Sequence, residues 1–76
     1  MQPLSEGQRA VLGELLTLPM TREELREWFP EVDSRGLGRT VGSLHHGHGL
    51  LECVGGKYMV REDQRERAKR MVRCGR

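Results

Sequence analysis

The chain has 76 residues, 36% of them hydrophobic and 32% charged, with 13 Lys/Arg against 11 Asp/Glu. That length permits one domain, which buries only about 60% of the surface its unfolded form exposes. No apolar run approaches the roughly 20 residues that span a bilayer, and the start of the chain lacks the charged-then-apolar layout of a secretory signal. A cytoplasmic protein with no membrane partner is therefore expected. Cys53 and Cys74 are too few for a disulfide framework and read as free thiols in a reducing compartment.

Ser5 and Gln8 have the spacing of a capping box, and Ala10, Val11, Leu12, Leu15, Leu16 and Leu18 follow at helical spacing. Pro19 stops this first helix. Thr21 and Glu24 repeat the capping box, with Glu23 and Glu24 in the first turn, where the helix dipole favours acids. Leu25, Trp28 and Phe29 are expected to pack inward before Pro30 ends a second, short helix. The pair reads as two helices joined by a tight turn.

Asp33 or Ser34 can cap a third helix. Leu37, Val41 and Leu44 repeat at i, i+4 and i+7 and define its inner edge. At about 100° per residue the opposite edge carries Arg35, Arg39, Gly42, Ser43 and His46, with no acid and no large apolar side chain. Gly36, Gly38 and Gly42 each cost up to about 1 kcal/mol relative to alanine in a helix interior. They read as positions of close approach, either to helix two or to a phosphate backbone.

Gly47 or Gly49 supplies the left-handed residue that ends this helix. Residues 50–54 and 57–60 are short apolar-rich runs around Gly55-Gly56, a strong hairpin signal because such tight turns need positive φ. An isolated hairpin is marginal, so this one should lie on the helices, with Leu51, Val54, Tyr58 and Val60 as candidates for its buried side. Residues 62–74 contain strong helix formers, with Ala68, Met71 and Val72 forming a narrow apolar strip among Arg65, Arg67, Lys69, Arg70 and Arg73. This segment is either a docked fourth helix or a basic tail that orders on binding.

Charge is unevenly distributed. Up to Val60 six Lys/Arg stand against eight Asp/Glu, and from Arg61 onward seven stand against three. The early acids gather in the first two helices. Between Ser34 and Val60, Arg35, Arg39 and Lys57 meet only Glu52. Positive regions thus occur in and after the third helix, as an anionic partner would favour.

Helix, helix-turn-helix, then a glycine-turned hairpin resembles the winged helix-turn-helix superfamily over roughly residues 5–60. The resemblance lies in the order and lengths of the elements. It implies an α+β, mainly α fold of three helices, a β-hairpin wing and then a C-terminal helix or basic tail. Residues 1–60 would be the winged helix-turn-helix domain and residues 61–76 the basic segment. In that superfamily the second helix of the turn motif enters the major groove of double-stranded DNA, and the wing touches the neighbouring backbone or minor groove. Carried over, Arg35, Arg39, Ser43 and His46 would face the groove, and Lys57 would be the wing's phosphate contact.

Independently of the resemblance, a helix fits the major groove of B-form DNA, and arginine binds guanine bidentately with its planar fork. Ser43 and the backbone at Gly42 suit phosphate contacts, which position without specifying. Thr21 and Arg22, at the start of helix two, are further phosphate donors, opposed by Glu23 and Glu24.

Rival chemistries are weaker. His45, His46 and His48 lie close in sequence to Cys53, and zinc takes such ligands, but the spacing matches no common finger or knuckle. The favoured reading is polar residues at a helix end, with Cys53 as a small core residue and His45 nearer the apolar side. A Cys-His nucleophile needs an oriented base and a pocket, for which this chain has little core. Gly36-Leu37-Gly38 lacks the preceding strand and the further glycine of a dinucleotide fingerprint.

No enzyme activity, cofactor or metal is therefore expected. The function read from the sequence is a sequence-specific or architectural double-stranded DNA-binding protein, either a transcriptional regulator or an accessory factor in replication or recombination. Its size fits a phage or mobile-element origin. The alternative is a winged-helix protein-protein interaction adaptor, with the acidic first helices as its docking side. The C-terminal strip is a candidate surface for a homodimer or a protein partner.

Overall fold

The computed structural model describes residues 4–73. Helix α1 spans Glu6–Thr17, strand β1 Met20–Thr21, α2 Arg22–Trp28 and α3 Ser34–Gly42. A π-helical turn follows at Ser43–Gly47, then strands β2 (Leu51–Val54) and β3 (Lys57–Val60), a 3-10 turn at Glu62–Gln64 and α4 at Arg65–Arg73. The fold is α+β, with four α-helices and one antiparallel sheet of order β1-β3-β2 among the described residues. Among the described residues, no helix is long and apolar enough to cross a membrane.

The helix starts follow from their caps. The Ser5 hydroxyl accepts from the Gln8 amide at 3.2 Å while the Gln8 side chain accepts from the Ser5 amide at 2.8 Å. Thr21 and Glu24 exchange the same pair of bonds at 3.1 and 2.8 Å. Of the two candidate caps for α3, Asp33 is the one used, its carboxylate accepting from the Gly36 amide at 2.6 Å. Each cap satisfies donors that the first turn of a helix leaves without an internal partner.

One core joins every layer. Val11, Leu12 and Leu15 of α1 meet Leu25 of α2, Leu37 and Val41 of α3, Leu44, the hairpin base at Leu50, Leu51 and Val60, and Ala68 of α4. The inner edge expected for α3 is fully realised, since Leu37, Val41 and Leu44 are all buried. Helix α4 is docked on the body, with Met71 and Val72 packed beside Ala68 against the core. The apolar strip assigned to an outside partner therefore faces the chain's own helices.

Four expected burials fail. Trp28 is 59% exposed and Leu18 56%. Helix α2 has only seven residues and Leu25 is its one buried side chain; Phe29, its C-cap, packs against the core beyond the helix while Trp28 at the last turn stays in solvent. Leu18 is the extended C-cap of α1, already past the helical face. Val54 is 55% exposed because strand side chains alternate: three residues from buried Leu51, it must point to the opposite face. Cys53 shares the Leu51 face but lies near the hairpin tip and is exposed, so it is not a core residue. Cys74 falls outside the described residues.

Strand β1 went unforeseen. It has two residues and pairs through Met20 with Tyr58 and Thr21 with Lys57. So short a strand leaves no periodicity to read; it forms because β3 presents a free edge and Met20 is buried beside it.

Candidate nucleic-acid interface

The seven residues singled out from the sequence fall into two groups. Arg35, Arg39 and His46 are exposed on the edge of α3 and its π-helical extension that points away from Leu37, Val41 and Leu44. The two arginines are four residues apart, which places them side by side about 6 Å apart along the axis. Neither guanidinium has an ion pair or hydrogen bond among the described residues. Gly42, on the same edge, has open space where a Cβ would stand. Here the close approach expected of the α3 glycines has no partner among the described residues.

The π-helical turn sets the end of this edge. The His48 amide donates to Ser43 carbonyl oxygen at 2.9 Å, an i to i+5 bond. Its turn is wider than an α-turn, so successive side chains diverge less, and the rings of His45 and His46 stand 4.3 Å apart at 30° rather than pointing apart. His45 is half-buried, with its ring 6.2 Å from that of Tyr58 in an edge-on arrangement. Gly49 then leaves the turn at φ 66°.

Ser43 is half-buried rather than free in the outward edge. The Gln8 side-chain amide donates to its hydroxyl oxygen at 2.8 Å. Gln8 thus ties the α1 N-terminus to the end of α3, with its amide oxygen on the Ser5 cap and its nitrogen on Ser43. The capping half of that role is legible in the sequence. The other half joins residues 35 positions apart and is not.

The second group gathers where β1 meets β3. Thr21 pairs with Lys57 across the sheet, and Thr21 is occupied by its capping box with Glu24. The Glu24 carboxyl is held below its ordinary value of 4.5, first by the Thr21 backbone N–H; desolvation opposes this, and the Thr21 hydroxyl and the Lys57 charge add smaller lowering effects. Lys57 is exposed beside the glycine turn, with the Glu24 carboxylate close enough to be felt. Arg22 extends from α2 over α3, where its guanidinium occupies the space a side chain at residue 38 would need. Gly38 is therefore the close-approach glycine to helix two.

The hairpin turn is made as its sequence requires. Gly55 and Gly56 have φ of 59° and 81°, both in the region that suits a two-residue turn matched to strand twist. Helix α4, packed on α1, is strongly basic, yet much of that charge is engaged. Arg65 donates to the Leu16 carbonyl at 3.2 Å, in the last turn of α1, and Arg67 donates to the His48 carbonyl at 3.3 Å. Lys69 pairs with Glu66 at 3.8 Å. Arg70 and Arg73 are exposed. Among the described residues, no group of three or more His, Cys, Asp or Glu gathers to hold a metal.

No family matches the chain, and no curated protein and no solved structure matches it either.

Proposed function

We propose that this chain is a winged helix-turn-helix protein that binds double-stranded DNA, with α3 as the reading helix and the β2–β3 hairpin as the wing. One observation carries the reading: Arg35, Arg39 and His46 form an exposed, acid-free edge on a helix whose other edge is locked into the core. The element order supports it, because a short strand between α1 and α2 completes a three-stranded sheet against the hairpin. Asp33 at the N-cap keeps phosphate away from the start of α3, so the two arginines supply the cationic contacts. They are spaced to meet successive base edges or a base edge and a phosphate.

Lys57 beside the β1–β3 junction and Arg22 over α3 are the further cations offered as backbone contacts. Thr21 and Ser43 hold the scaffold through their caps and cross-helix bond. The regulatory roles that fit are transcriptional control or an accessory role in replication or recombination, in the cytoplasm, with DNA as the partner. Binding that neutralises about five phosphates gives a slope of log K against log salt near −4.5. Anisotropy titrations of a random duplex at low and moderate salt test this. The Arg35→Ala/Arg39→Ala protein should bind about 10- to 100-fold more weakly with a slope shallower by about 2. Equal affinity for the double variant would remove α3 from the interface.

A further inference from the structure

An open cavity of about 330 Å³ lies on a different flank of the molecule, between the first half of α1, the α2–α3 connection and the side of α3. Its floor is apolar: Val11, Phe29, Val32 and Leu37. The polar groups on its rim are the Glu6 and Glu31 carboxylates and Thr40, and no Lys, Arg or His among the described residues lines it. Glu6 and Glu31 are exposed, and neither has an ion pair among the described residues. The Thr40 hydroxyl is already committed to the Gly36 carbonyl at 2.9 Å, leaving the two carboxylates as the groove's unmatched polar chemistry.

We propose that this groove docks a short segment of a partner protein that inserts one or two apolar side chains between flanking lysines or arginines. The volume sits at the low end of the roughly 300–1,000 Å³ typical of small-molecule pockets, which suits one or two side-chain anchors. Charge complementarity selects the flanks, because two unpaired carboxylates across an apolar floor favour cations beside the inserted group and repel acids. The groove wall includes Leu37 and Thr40 of α3, and Thr40 lies about 100° around the helix from Arg39. A docked segment therefore leaves the arginine edge open, and the proposal stands independently of DNA binding.

The test is an amide-shift titration of the full chain with a synthetic peptide bearing a Leu-Phe-Leu core between paired lysines. Two control peptides carry a serine core or glutamate flanks. Gly7 borders the groove and has open space where a Cβ would stand, so Gly7→Leu fills the groove while improving helix propensity. Glu6→Lys/Glu31→Lys reverses the rim through exposed positions.

The expected result is saturable shifts at Gly7, Ala10, Val32 and Thr40 with the basic peptide alone. Gly7→Leu and the double reversal should each weaken binding about tenfold. Absence of shifts, shifts centred elsewhere, or affinities unchanged in both variants would overturn the proposal. Shifts at the same amides that depend only on the protein's own concentration would also overturn it, assigning the groove to a second copy.

Discussion

Helices α3 and α4 both carry arginine, but they use it differently. In α4, Arg65 and Arg67 donate to backbone carbonyls of α1 and of the loop before β2, and Lys69 is paired within its own helix. In α3, Arg35 and Arg39 extend from an edge with no carboxylate or carbonyl partner among the described residues. The sequence shows more positive charge in the C-terminal segment, yet Arg65 and Arg67 there are spent on the fold, and only Arg70 and Arg73 of α4 are exposed in the manner of Arg35 and Arg39. Availability to a polyanion depends on what each side chain already touches, because a guanidinium engaged by the fold must give up that bond to meet a phosphate.

The sharpest way to break this contrast is within α3 itself. Leu37→Ala or Leu44→Ala on the inner edge should cost about 2–5 kcal/mol, whereas Arg39→Ala should stay within about 0.5 kcal/mol. Urea unfolding measures both, and similar losses on the two edges would show that the arginine edge is packed. Comparing helices comes next. Arg65→Ala/Arg67→Ala should change duplex affinity less than about threefold, against the 10- to 100-fold loss for Arg35→Ala/Arg39→Ala. If the α4 pair lowers affinity as much as the α3 pair, the charge of α4 is available after all.

A smaller effect separates structural from binding arginine. Arg65→Ala alone should destabilise the fold by about 1 kcal/mol, through the lost bond to the Leu16 carbonyl, as a lower melting temperature with DNA affinity retained. Removing all of α4 is a poorer test, since Ala68 belongs to the core and its loss exposes α1.

The smallest effect is acidic. Glu24 is held below its ordinary 4.5, so its contribution to stability is present above that value and is lost as pH falls through the lower folded value. The stability difference between the parent and Glu24→Gln should therefore shrink on acidification below about 4.5. A difference that grows toward acid would contradict the capping geometry at Thr21.

Much of this architecture was written locally. The capping residues Ser5, Thr21 and Asp33 sit three residues before the groups they bond, so their spacing alone announces where helices begin. The Leu37, Val41 and Leu44 ridge follows from helical period, and the Gly55-Gly56 turn from backbone freedom at positive φ. The candidate interface was legible to the same extent: its arginine edge is the complement of that ridge.

Tertiary structure decided what local pattern cannot encode. It made the two-residue β1, turned Ser43 toward Gln8, laid Arg22 over Gly38 and docked α4 through Ala68. It also left Trp28 and Val54 in solvent, because burial depends on which surface a neighbouring element covers, while hydrophobicity reports only what a side chain would gain if covered. Period and capping are properties of a few consecutive residues and survive in the sequence. Pairings across tens of residues exist only once the chain has closed around its core.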